Sequence, residues 1–183
     1  MIQQVEIIPI FWELIEYKAS GDFNRKFDYG LYQVYGNHYS YGKNSLLYIG
    51  KARDNTFSQR LLNNDRLFAD FSETTIEPTI IRLGWIAKSN DSKSEIEDEQ
   101  NWKEYIDIAE KLLISTHPPA LNSQLEYNLY KINGKCQQRN ILIINLGDRG
   151  NILPEVSTLR NSYLFYNHER PFGFEDDANK VTN

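Results

Sequence analysis

The stretch YGLYQVYGNHYSYGKNSLLYIGKARD, Tyr29 to Asp54, decides the fold. YGLYQVY and SLLYIG are aromatic and aliphatic, and the segment between them, GNHYSYGKN, is polar and carries glycine. Two such runs around a turn-rich middle read as paired β-strands. The stretch holds six tyrosines: Tyr29, Tyr32, Tyr35, Tyr39, Tyr41 and Tyr48. In an antiparallel pair, Tyr32 and Tyr48 project from one face close to each other. Taken as a hairpin alone, the stretch uses its tyrosines for packing.

Working outward, VEIIPIFWELIEY before the hairpin fits a strand pair or a short helix, and Pro9 leaves the choice open. ASGDFNRKFD reads as a loop. After the hairpin, TFSQRLLNNDRLFADF has Thr56 as an N-cap, with Phe57, Leu61 and Phe68 on one helix face. PTIIRLGWIA is a strand with Pro78 at its start, where proline is tolerated. KSNDSKSEIEDEQ has no apolar periodicity and reads as an exposed loop. In QNWKEYIDIAEKLLIST, residues Trp102, Tyr105, Ile106, Ala109, Leu112 and Leu113 line one side of a helix. His117-Pro118-Pro119 ends that helix, because proline disfavours helix at the preceding residue. RNILIINL reads as a buried strand, GDRGNILPEVS as a turn and connection, TLRNSYLFY as a last strand or helix, and the tail 175–183 as frayed.

The order strand, strand, helix, strand, helix predicts an α/β domain: a small three-stranded antiparallel sheet flanked by helices, with elaborations at both ends. Residues 1–27 are expected as an N-terminal extension, 28–124 as the core, and 125–183 as a C-terminal extension packed on it. The chain has 183 residues, 40% hydrophobic, 25% charged and 13% aromatic, in the range of a soluble globular domain. Its single cysteine, Cys136, excludes an intrachain disulfide and fits a reducing, cytoplasmic setting. No apolar run is long enough to span a membrane. The start of the chain carries Glu6, Glu13 and Glu16 with no basic leader, unlike a secretory signal.

The net charge of −5 argues against a polyanionic partner, but the charge is unevenly spread. Residues 88–110 hold eight acids against three lysines, so this stretch accounts for the whole excess. From Lys111 to Arg170 there are seven bases and four acids, so a local basic surface is compatible with the sequence.

Three separated pieces belong together: Gly30-Leu31-Tyr32 with Tyr48-Ile49-Gly50; Arg60 on the following helix; and Glu110 followed by Asn122 after the Pro-Pro turn. With Lys51 next to Tyr-Ile-Gly, this set resembles the GIY-YIG nuclease family over Tyr29 to Asn122. Arg60 lies about two residues further from Tyr-Ile-Gly than in compact members of that family, which keeps Arg53 as a rival. The connection between the two tyrosine strands is also longer than usual.

The resemblance implies a DNA endonuclease that uses a single divalent ion, Mg²⁺ or Mn²⁺, on duplex or structured DNA. Glu110 would be the metal ligand, with water and a phosphate oxygen completing the shell. Arg60 would grip the scissile phosphate through its planar fork. Tyr32 would be the base that takes a proton from water, and Lys51 the cation that lowers its pKa. Tyr48 would position water or phosphate, Asn122 would hold Tyr32 or the backbone, and Gly30 and Gly50 would let backbone and substrate approach closely. Arg53 and His38 would touch substrate. Dimerisation would let one site cut both strands; nothing in the sequence decides it.

Plainer readings compete. Tyr32 and Tyr48 alone are sheet-packing aromatics, Arg60 and Glu110 alone are helix-surface charges, and Asn122 suits any turn. His38, His117 and His168 lack metal-ligand spacing. The alternative function is a non-catalytic nucleic-acid-binding or protein-interaction module on the same fold.

Overall fold

A computed structural model of the chain describes residues 5–15, 29–62, 80–86, 99–122 and 139–158, with the side chains at 62 and 99–101 excepted. Phe68, Pro78, Cys136, His168, the loop at 88–98 and the tail at 175–183 lie outside these residues. The described strands are β1 (Val5–Ile15), β2 (Gly30–His38), β3 (Gly42–Ala52), β4 (Ile80–Ile86), β5 (Asn140–Gly147) and β6 (Glu155–Ser157). The described helices are α1 (Phe57–Leu62) and α2 (Glu99–Thr116).

The expected three-stranded antiparallel sheet flanked by helices is not what forms. The strands make one six-stranded mixed sheet in the order β3-β2-β4-β1-β5-β6, curled into a half-barrel. β2, β3 and β4 are antiparallel neighbours within it. The difference comes from β1 and β5. β1 lies between β4, to which it is antiparallel, and β5, to which it is parallel.

The physical reason is the alternation along β1, where Ile8, Ile10 and Trp12 are buried and Ile7 is exposed. Such a segment covers one face of a sheet and cannot serve as a helix. Pro9 does not interrupt it, because pairing with β4 begins only at Ile10.

The polar middle of the hairpin is also mostly strand. The turn closes over Tyr39–Tyr41, and register shifts fall between Val34 and Tyr35 and between Gly36 and His38. The length expected as a long connection is taken up by extended pairing and these irregularities. Residues Glu155–Ser157, within the stretch read as a connection, pair with β5 as β6.

Two apolar clusters form on the sheet. One joins Ile8, Ile10, Trp12, Leu31, Ile141 and Ile143 to α2, which contributes Trp102, Ile106, Ala109, Leu112 and Leu113. Ile108 and Ile114 are buried too, so α2 covers more than the expected stripe. The other joins Tyr32, Val34, Leu47, Ile81, Leu83 and Trp85 to Phe57 and Leu61 of α1. Leu31 and Tyr32 enter different clusters because neighbouring strand residues point to opposite faces.

α1 starts at a reciprocal cap. Thr56 Oγ1 accepts from the Gln59 amide at 3.2 Å, and Gln59 Oε1 accepts from the Thr56 amide at 3.1 Å. β3 is an edge strand, and the segment after α2 covers it. The Ala120 and Leu121 amides donate to the Leu46 and Leu47 carbonyls at 3.2 and 2.8 Å.

Candidate active site

Tyr32 and Tyr48 come together as the hairpin geometry requires. Tyr32 is opposite Gly50, Tyr48 is opposite Val34, and the two rings stack with centroids 5.9 Å apart and planes 26° apart. Gly50 lies directly against the Tyr32 ring. A Cβ there would sit 2.5 Å from Tyr32 Cζ and its hydroxyl and 2.6 Å from the Tyr48 ring, so no other residue fits without moving both. Gly30 has φ +154°, and a Cβ on it would lie 2.1 Å from the Gly84 carbonyl oxygen. Both glycines therefore have packing reasons within the sheet.

Tyr32 is 0% exposed, and among the described residues its hydroxyl finds no hydrogen-bond partner at normal geometry. Burial, reinforced by Tyr48, pushes its pKa up, while the nearby Arg60 guanidinium opposes the shift. The sequence reading has Lys51 lowering that pKa. In the structure the pKa is raised, Arg60 is the cation acting on Tyr32, and Lys51 is engaged elsewhere. Tyr48 is half-buried, and its pKa is also raised, by burial and then by the Glu110 carboxylate. Arg60 itself is exposed on α1, near enough to act on both tyrosines, and the same short helix is anchored by the buried Phe57 and Leu61.

Glu110 is 7% exposed, near the end of α2 that approaches β3. Burial raises its pKa and Lys51 opposes the shift. Lys51 Nζ lies 2.8 Å from Glu110 Oε2 and 2.8 Å from Asp107 Oδ1. Burial disfavours the Lys51 charge, but the two carboxylates more than offset this and hold its pKa above the ordinary lysine value. Asp107 also accepts from Arg53 through Oδ2, and Arg53 in turn pairs with Asp54. Asp107 is the residue that the sequence reading missed. Its signal is the spacing of three from Glu110 on a helix, which places both carboxylates on one side.

Asn122 turns its amide to the backbone of the Tyr-Ile-Gly strand. Oδ1 accepts from the Ile49 amide at 2.9 Å and Nδ2 donates to the Ile49 carbonyl at 2.9 Å. The side chain thus acts as one rung of an added strand, fixing β3 between Tyr48 and Gly50.

Tyr32, Tyr48, Lys51, Arg60, Glu110 and Asn122 therefore gather at one end of the hairpin, with Arg53 beside them through Asp107. His38 does not join them. It lies at the other end of β2, roughly 20 Å from Tyr32 along the strand at about 3.3 Å per residue. Its Nδ1 accepts from the Ser40 and Tyr41 amides at 3.2 Å each, and its ring stacks on Tyr39 and lies tilted against Tyr41. There it closes the turn.

The oxygen donors available to a hard cation are Glu110 and Asp107. Among the described residues no group of three or more metal-ligating side chains converges. One or two carboxylates completed by water and phosphate is a donor set that suits Mg²⁺ or Mn²⁺ arriving with substrate. No helix among the described residues is long and apolar enough to cross a membrane.

No family model matches this sequence, and neither a curated protein nor a solved structure matches it at a significant level.

Proposed function

We propose that the protein is a metal-dependent endonuclease that hydrolyses DNA phosphodiesters with the residue set of GIY-YIG nucleases, although its sheet is larger than the core expected for them. The observation that carries this reading is the Tyr32 hydroxyl. It is buried, meets no hydrogen-bond partner at normal geometry among the described residues, and lies among Tyr48, Arg60 and Glu110. An orphaned polar atom costs about 1–3 kcal/mol, and such groups call for a functional explanation.

Each residue has a task that its surroundings support. Arg60 is exposed, so its guanidinium can meet a phosphate with two parallel hydrogen bonds. Tyr32 and Tyr48 place two phenol oxygens where an attacking water would be oriented. To take the proton from that water, Tyr32 must first be a phenolate. Burial opposes that state and Arg60 favours it, so Arg60 serves both phosphate and base. A divalent ion held at Glu110 would supply Lewis-acid stabilisation of the charge developing on the leaving oxygen. Asn122 and Gly50 act one step back, by holding the strand that carries Tyr48.

The test is cleavage of duplex, branched and single-stranded DNA with Mg²⁺ and with Mn²⁺. Wild type is expected to nick or cut at least one substrate, and Glu110→Ala and Arg60→Ala to lose at least about a hundredfold in rate with unfolding curves preserved. Wild type inert on every substrate with both ions sinks the proposal.

A second reading, a non-catalytic nucleic-acid-binding or protein-interaction module, is favoured by the Lys51 ammonium against Glu110 and by the raised Tyr32 pKa. Salt-sensitive gel shifts in chelator, with no cleavage when metal is restored, would select it.

A further inference from the structure

We propose that Lys51 is an internal counter-ion of the candidate active site, holding the position between Asp107 and Glu110 in the metal-free protein and leaving Glu110 when a divalent cation binds. This rests on the reading of Glu110 as the metal ligand.

The geometry is that of a filled cation position. One ammonium nitrogen lies 2.8 Å from an oxygen of each carboxylate. A Mg²⁺ or Mn²⁺ ion bonds a carboxylate oxygen at about 2.0–2.2 Å. An ion on Glu110 and an ammonium still in hydrogen-bond contact with it would be like charges a few ångströms apart in a half-buried site, where repulsion is weakly screened. The two cannot share the carboxylate, so the ion enters as the ammonium departs.

The surroundings allow that exchange. The Lys51 side chain is 31% exposed, so its flexible stem has a path outward, whereas Glu110 is held in the interior. Asp107 is anchored independently by Arg53 on its other oxygen. It stays in place when Lys51 moves and offers the ammonium a partner beside, rather than on, the metal ligand. Charge balance points the same way: Lys51, Arg53 and Lys103 match Asp107, Glu110 and Asp54 at rest, so an added divalent ion leaves excess positive charge that an entering phosphodiester would match. Metal and DNA should therefore bind each other's complex more tightly than the free protein.

The test uses the full chain without DNA. Isothermal titration with Mn²⁺ is compared for wild type, Lys51→Met and Arg53→Met. Both variants remove one positive charge from Asp107, but only Lys51→Met removes a competitor from Glu110. Lys51→Met is expected to bind Mn²⁺ about tenfold more tightly than wild type, and Arg53→Met to change affinity by less than about threefold. In wild type, which needs no variant to fold, the rate of reductive methylation of Lys51 read by mass spectrometry should rise several-fold on saturation with Mg²⁺. Equal affinity shifts in the two variants, or unchanged Lys51 reactivity, would overturn the exchange. Wild type that binds no Mn²⁺ overturns both this and the metal role of Glu110. Exchange observed in a protein that never cuts DNA leaves Lys51 as stated and removes the nuclease reading.

Discussion

Trp12 and Tyr32 are two solutions to one packing problem. Each is a fully buried aromatic lying over a glycine of the next strand, Trp12 over Gly84 and Tyr32 over Gly50. Their polar ends differ. The Trp12 indole N–H donates to Asn145 Oδ1 at 2.9 Å, and Asn145 Nδ2 donates onward to the Leu153 carbonyl at 2.8 Å. The Tyr32 hydroxyl has no such partner among the described residues. A sheet that satisfies one buried aromatic and leaves another orphaned, beside a guanidinium and a carboxylate, is organised for packing at the first place and, on the proposed reading, for chemistry at the second. Gln33 Nε2 and Asp107 Oδ1 are also without a hydrogen bond among the described residues, but Tyr35 donates to the other atom of the Gln33 amide at 2.7 Å, and Lys51 Nζ lies 2.8 Å from Asp107 Oδ1 as an ion pair.

The largest expected effect comes from breaking the satisfied pair. Asn145→Ala leaves the buried indole N–H unpaired and releases the Leu153 carbonyl, and should cost about 2–3 kcal/mol in urea unfolding. DNA cleavage per folded molecule should not change. Next come the glycines. A Cβ at Gly84 would lie 2.7 Å from the Trp12 ring, and one at Gly50 would lie 2.5 Å from Tyr32. Gly84→Ala and Gly50→Ala should each cost about 1–3 kcal/mol by overpacking. Only Gly50→Ala should also depress cleavage, because it displaces both tyrosines. Equal loss of activity in the two variants would erase the distinction between the regions.

The smallest effect has the opposite sign. Tyr32→Phe removes an orphaned hydroxyl and should stabilise the fold by about 1 kcal/mol while abolishing cleavage. A neutral or destabilising result would mean that the hydroxyl is satisfied. The same variant has a pH signature. The folded pKa of Tyr32 is raised by burial. Its stabilising contribution is therefore complete below the ordinary tyrosine value of about 10 and is lost as pH rises through the folded value, because the unfolded chain releases the proton first. Unfolding free energies at pH 9 to 11 should fall more steeply for wild type than for Tyr32→Phe.

Much of this was legible in the chain, for local reasons. The β-rich aromatic and aliphatic runs around Tyr32 and Tyr48 mark strands, the apolar positions from Trp102 to Leu113 mark α2, and Thr56 marks the start of α1. The order of Tyr32, Tyr48, Arg60, Glu110 and Asn122 named the residues that gather at the hairpin's end. The polar turn misled, because a bulged strand can carry glycine, asparagine and histidine without leaving the sheet. β1 misled for another reason. Its alternation is visible, but whether such a strand forms an added edge or the middle of a sheet depends on β4 and β5, which come from far along the chain.

The sequence by itself determined the hairpin, the two helices and the set of chemically capable side chains, since these depend on neighbours within a few residues. The six-stranded mixed sheet depended on long-range pairing, which local pattern does not encode. Tertiary structure alone placed Asp107 beside Glu110 and Lys51 between them, and turned the Asn122 amide to the Ile49 backbone. It also buried Tyr32 far enough to raise its pKa rather than lower it. That reversal follows from desolvation, which no inspection of neighbouring residue types supplies. It also makes the same stretch, Tyr29 to Asp54, a packed hairpin at its turn and a candidate reaction site at its base.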